Sequence, residues 1–119
     1  MEIPKQVQDK LAQFQGIQNQ LQLIALQKQQ LMLQSTDTEN ALTELGKITD
    51  KGKIYRLVGP ILIETNKKDS EKMLNDDKEL IATRINFLEK QEKKLDEKFE
   101  DLKTELQGML GKETGETAG

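Results

Sequence analysis

The stretch Gly46-Lys47-Ile48-Thr49-Asp50-Lys51-Gly52-Lys53 comes close to a phosphate-binding motif, since spaced glycines before a lysine can cradle phosphate oxygens with backbone N–H groups. Its details do not complete that chemistry. Five residues rather than four separate the glycines, Ile54 stands where Ser or Thr would hold magnesium, and no strand pattern precedes the loop. A helix end followed by a turn is the expected structure. The adjacent carboxylates Asp76-Asp77 and Asp96-Glu97 have the side chains for acid–base work, but on a thin helix they stay solvated and lack a pocket to shift their pKa. The chain has no His, no Cys and no Trp, which removes imidazole and thiol chemistry and the usual zinc sites. The expectation is a protein that is not an enzyme, with no catalytic residues, no metal and no cofactor.

Of the 119 residues, 34% are hydrophobic, 3% aromatic and 33% charged, too little apolar material for a globular core of this length. High charge with apolar residues every three or four positions is instead the composition of long amphipathic helices. A net charge of −3 with no basic block argues against a nucleic-acid partner. The start MEIPKQVQ has no apolar core of a signal peptide, and no stretch has the length of a membrane span. A soluble cytoplasmic protein without a membrane or nucleic-acid partner is expected.

Residues 4–45 carry a heptad seam, with Val7, Phe14, Leu21 and Leu42 at one position and Ile17, Ile24, Leu31 and Leu45 at the other. Lys10, Lys28, Ser35 and Thr38 interrupt it. Pro4 fits the first turn and Gly46 the C-terminal cap. A second helix over 67–110 places Leu74, Ile81, Leu88, Leu95, Leu102 and Met109 at one seam position and Ile85, Phe99 and Leu106 at the other, broken by Lys78 and Glu92. Asn66 with Asp69 resembles a capping box, with Asp69 or Ser70 as the alternative caps. The Gly-rich tail 111–119 is expected to be mobile. Equal lengths and a compact connection predict an antiparallel two-helix coiled coil with the termini meeting at its far tip. The first helix is rich in Gln from Gln6 to Gln34 and the second in alternating charge; both read as solvated helix faces.

The segment 46–66 contains two β-branched, apolar runs, Ile54 to Val58 and Ile61 to Glu64, around Gly59-Pro60. That dipeptide suits a type II′ turn, with glycine supplying the positive φ of the first central position. Both faces of the hairpin are partly apolar, and its edges are unpaired within one chain. Ile54, Tyr55, Leu57, Val58, Gly59, Ile61, Leu62 and Ile63 are therefore expected to assemble with hairpins of other chains. A short apolar loop packed on the coil is the alternative. At the other end, Ile3, Val7, Leu11, Leu102, Leu106, Met109 and Leu110 either close the coil or contact an apolar chain, and the two roles are compatible. Leu23, Leu26 and Leu33 fall outside the seam, and the strict heptad does not account for them.

The run Ile54-Tyr55-Arg56-Leu57-Val58-Gly59-Pro60-Ile61-Leu62-Ile63 between matched coiled-coil arms closely resembles the β-class subunit of prefoldin in its archaeal form, over nearly the whole chain. The α-class of that family has two hairpins; the insert here has room for one. The resemblance implies a mostly α fold whose hairpins build an intersubunit β-barrel hub in a hexamer of two α-class subunits and four copies of this chain. It also implies an ATP-independent chaperone that captures unfolded client proteins at the coiled-coil tips and passes them to a group II chaperonin. The alternative is a structural coiled-coil scaffold that oligomerises through its hairpin.

Overall fold

The computed structural model describes the backbone of residues 3–118 and the side chains of residues 3–111. Element order is α1 (Lys5–Gly46), β1 (Ile54–Val58), β2 (Ile61–Thr65) and α2 (Lys67–Ala118). Two compact units partition the chain. Unit 1 contains Met1–Gln27 and Phe87–Gly119, and unit 2 contains Lys28–Asn86.

Unit 1 is an antiparallel helix pair, because positions that rise along α1 meet positions that fall along α2. The Lys10 ammonium lies 3.0 Å from the Glu105 carboxylate, and Phe14 stacks on Phe99 with ring centroids 4.4 Å apart. Its seam follows the heptad residue by residue: Val7, Ile24, Leu88, Leu102 and Leu106 are buried, and Ile17, Leu21, Leu95 and Met109 are half-buried. A two-helix seam has no third layer to cover it, which is why the best-buried residue, Val7, is accompanied by so many half-covered ones. α1 starts one residue later than expected. Pro4 stands just ahead of it, and its carbonyl accepts the first helical hydrogen bond, from the Gln8 N–H at 3.0 Å.

Unit 2 holds the rest of both helices and the hairpin. Leu45 and Ile81 are buried in its seam, and Ser35 and Thr38 lie half-buried at the seam positions where polar breaks were expected. Lys78, the polar break of α2, reaches across to Glu39 at 3.5 Å. Asn66 is the cap of α2. Its Oδ1 accepts from the Asp69 backbone N–H at 2.8 Å, and its Nδ2 donates to the Asp69 carboxylate at 2.9 Å. Ser70, the alternative cap, instead lies buried inside the first turn.

β1 and β2 pair antiparallel in the register Ile54↔Thr65, Arg56↔Ile63, Leu57↔Leu62 and Val58↔Ile61. Gly59 has φ +58°, the sole positive φ among the described residues, as the first central position of a II′ turn requires. Alternation then puts Ile54, Arg56, Val58, Ile61 and Ile63 on one face and Tyr55, Leu57, Leu62 and Glu64 on the other.

Two expectations about helix ends need correction. Gly46 does not form a left-handed cap. It is the last helical residue, and the end tightens through bonds from Lys47 N–H to Glu44 and from Ile48 N–H to Leu45. α2 does not stop at 110 but runs to Ala118, since the hydrogen bonds of a helix backbone need no apolar seam. The expected mobility of 111–119 falls largely on side chains, from Lys112 onward, that lie outside the described residues.

Candidate functional site

The near-motif at Gly46–Lys53 is a helix end and turn, as its sequence details imply. Gly52 N–H bonds Thr49 O at 3.0 Å, and Lys67 closes the turn by donating to Ile48 O at 2.9 Å. A Cβ on Gly52 would lie 3.0 Å from Ile48 Cγ2, so this glycine serves local packing. No group of carboxylates that could hold a metal occurs among the described residues. Asp76, Asp77, Asp96 and Glu97 are all exposed.

What the described residues do present is apolar surface, and the expected site residues fall in two parts of it. In unit 2 the hairpin leaves Tyr55, Leu57, Val58, Ile61, Leu62 and Ile63 exposed, from 45% for Val58 to 68% for Leu57, while Ile54 is half-buried. These side chains occupy both faces of a two-stranded sheet whose outer edges pair with nothing among the described residues. Two strands alone hide neither face, so this surface is suited to further strands and side chains from outside.

In unit 1, the expected terminal residues divide into two sets. Val7, Leu102 and Leu106 are buried and Met109 half-buried, so the heptad commits them to the seam. Of the two roles open to the seven, closing the coil is the one that the three buried residues take in the single chain. Ile3, Leu11 and Leu110 lie outside the seam and stay exposed, at 50%, 37% and 46%. Beside them, a groove of about 580 Å³ is lined by Gln6, Lys10, Gly108 and Met109 among others. The Gln8 side-chain amide donates to Ile3 O at 3.0 Å and holds the chain entering α1.

Further exposed apolar residues lie along the helices. Leu23, Leu26 and Leu33 are each more than half exposed, which agrees with their absence from the seam. Met32, Leu80 and Phe87 are equally exposed and were not singled out by sequence. The seven-residue interval between Leu80 and Phe87, offset from the seam, is the signal that could have found the last two.

A helix–hairpin–helix chain with heptad seams and an exposed apolar hairpin is a coiled-coil protein rather than a self-sufficient globule. The chain matches the Prefoldin subunit family over residues 8–113 and belongs to it. It is 41% identical over 114 residues to prefoldin subunit beta of Archaeoglobus fulgidus, covering 96% of this chain and 98% of that one. The Thermococcus onnurineus prefoldin subunit beta is also 41% identical, over 91% of this chain and 93% of its own. Among solved structures, the prefoldin beta subunit from Thermococcus strain KS-1 superimposes with a TM-score of 0.82 at 38% identity, covering 92% of this chain and 96% of that one. The chain is thus a β-type prefoldin chaperone subunit, of a family whose work is chaperoning rather than catalysis. No helix among the described residues is long and apolar enough to cross a membrane.

Proposed function

We propose that this chain is the β-class subunit of a cytoplasmic prefoldin that holds unfolded polypeptide without ATP and hands it to a group II chaperonin. Its hairpin joins two α-class subunits and further copies of itself in a hexamer of two α and four β chains. The observation that carries the assembly is the hairpin, whose six large apolar side chains are solvent-exposed in the single chain. Leaving them bare would create an aggregation-prone edge, whereas pairing with other hairpins covers both faces and satisfies the strand edges. Client holding is assigned to Ile3, Leu11 and Leu110 with the accessible part of Met109, at the end of unit 1 where the first turns of α1 lie against Glu105 to Met109 of α2. Small apolar contacts of this kind are weak singly, and several subunits acting on one client raise the avidity while leaving each contact reversible.

The test is light scattering of a chemically denatured protein diluted into the complex reconstituted with an α-class partner, in the absence of nucleotide. Aggregation should be suppressed, and later addition of a group II chaperonin with ATP should recover native client. A correctly assembled complex that leaves aggregation unchanged would favour the scaffold reading instead.

A further inference from the structure

Along one side of unit 1 runs a groove between α1 and α2, made of three cavities of about 580, 420 and 420 Å³. Neighbouring cavities share walls, Gln13 and the Lys10–Glu105 ion pair between the first and second, and Gln20, Leu95 and Lys98 between the second and third. α1 contributes Gln6, Gln13, Gln20 and Gln27 to the lining, one residue per heptad. Seven residues of α-helix rise about 10.5 Å, which equals three residues of extended chain at about 3.4 Å each. An extended polypeptide in the groove would therefore meet a carboxamide at every third residue, and a carboxamide both donates to and accepts from a peptide backbone.

Two further features say what such an occupant carries. Gly16 lines the middle cavity from inside α1, where glycine weakens a helix, yet nothing lies within 4 Å of the position of a Cβ. The packing of this chain gives no reason for glycine there, whereas close approach by a second backbone does. Asp9, Asp101 and Glu105 line the first two cavities, whereas the third is lined by Lys94 and Lys98 and by no carboxylate, and neither lysine has an ion pair or hydrogen bond among the described residues, so an acidic side chain is seated at the third. Leu23, also on that cavity, is 56% exposed.

We propose that this groove seats an extended segment of unfolded polypeptide carrying an acidic side chain among apolar ones. The backbone lies along the glutamines and over Gly16, the acid reaches Lys94 and Lys98, and an apolar neighbour covers Leu23. This rests on the reading of the chain as a holder of unfolded polypeptide and adds a sequence preference to it, set by Lys94 and Lys98 in the third cavity.

The experiment is fluorescence anisotropy with two labelled, unstructured peptides of Leu, Ser and Gly, one bearing Glu and the other Lys at the same positions. They are titrated with the full chain as wild type, as Lys94→Glu/Lys98→Glu and as Lys94→Gln/Lys98→Gln. Both lysines are exposed, so the variants should retain the helical circular dichroism of the wild type. The wild type should prefer the acidic peptide, and charge reversal should weaken that binding about tenfold and tighten the basic peptide. The glutamine variant should lose the preference together with its salt dependence. Equal binding of both peptides by the wild type, or an acidic preference unaltered by reversal, overturns the groove. So does sedimentation showing a second copy of the chain displaced from the groove by these substitutions. Light scattering on the wild-type chain reconstituted with an α-class partner separates the two readings, since suppressed aggregation without acidic preference removes only the groove, and unsuppressed aggregation by the assembled complex removes the holding function itself.

Discussion

Replacing Leu57 in the hairpin tests how assembly depends on surface that is bare in the single chain. Six hairpin side chains are exposed by a little over half on average. At about 1.5–3 kcal/mol for complete burial of each, the hairpin holds roughly 5–10 kcal/mol of unrealised burial. Association costs on the order of 4–15 kcal/mol in lost freedom, so each hairpin has little to spare and a single large loss should be visible. Leu57 is 68% exposed and faces Leu62 across the register. Its own share is about 1–2 kcal/mol, which predicts a five- to thirtyfold weaker assembly for Leu57→Ala at each hairpin contact. Leu57→Asp adds a carboxylate that assembly would have to bury without a partner, and it should abolish the oligomer at micromolar concentration. Sedimentation velocity after mixing with an α-class partner reads the mass, and circular dichroism should remain helical because Leu57 makes no part of the seam. Wild-type oligomeric mass in the Asp variant would refute the assignment of assembly to this surface.

Joint replacement Ile3→Ser/Leu11→Ser/Leu110→Ser should leave oligomeric mass intact and sharply reduce protection of a denatured client in light scattering, since all three are exposed and lie outside the seam. Gly59→Ala forces a Cβ into φ +58° and should destabilise the hairpin by about 1–2 kcal/mol, seen as weaker assembly at unchanged helicity. Asn66→Ala removes the cap of α2 and should cost about 1 kcal/mol in thermal or urea unfolding. A double-mutant cycle with Phe14→Leu and Phe99→Leu should give a coupling of about 0.5–1.5 kcal/mol for the stacked pair, and a coupling near zero would contradict their packing.

The seam was legible because a heptad is a direct record of which side chains face the partner helix. Even its polar breaks at Ser35 and Thr38 fall at half-buried seam positions. The hairpin was legible because Gly59-Pro60 admits few turn geometries and the flanking runs are β-branched. Which of the terminal apolar residues stay accessible was less so. Val7, Leu102 and Leu106 have the same chemistry as Ile3, Leu11 and Leu110, and only their register against the opposite helix separates buried from exposed. The end of α2 was misplaced because the apolar pattern stops before the backbone bonds do. The glutamines of α1 read as solvent-facing in sequence, and their role as one wall of a groove depends on the spacing between two helices, which no local pattern encodes.

The most direct measurement places a photo-crosslinking amino acid, one position at a time, at Ile3, Leu11 and Leu110 and, as controls, at the exposed Asp76 and Glu97 in the assembled complex. Irradiation with a denatured client should join client to the three terminal positions and not to the two controls. Crosslinks confined to the controls, or absent from all three terminal positions in a complex that still suppresses aggregation, would contradict client holding at this end of the helix pair.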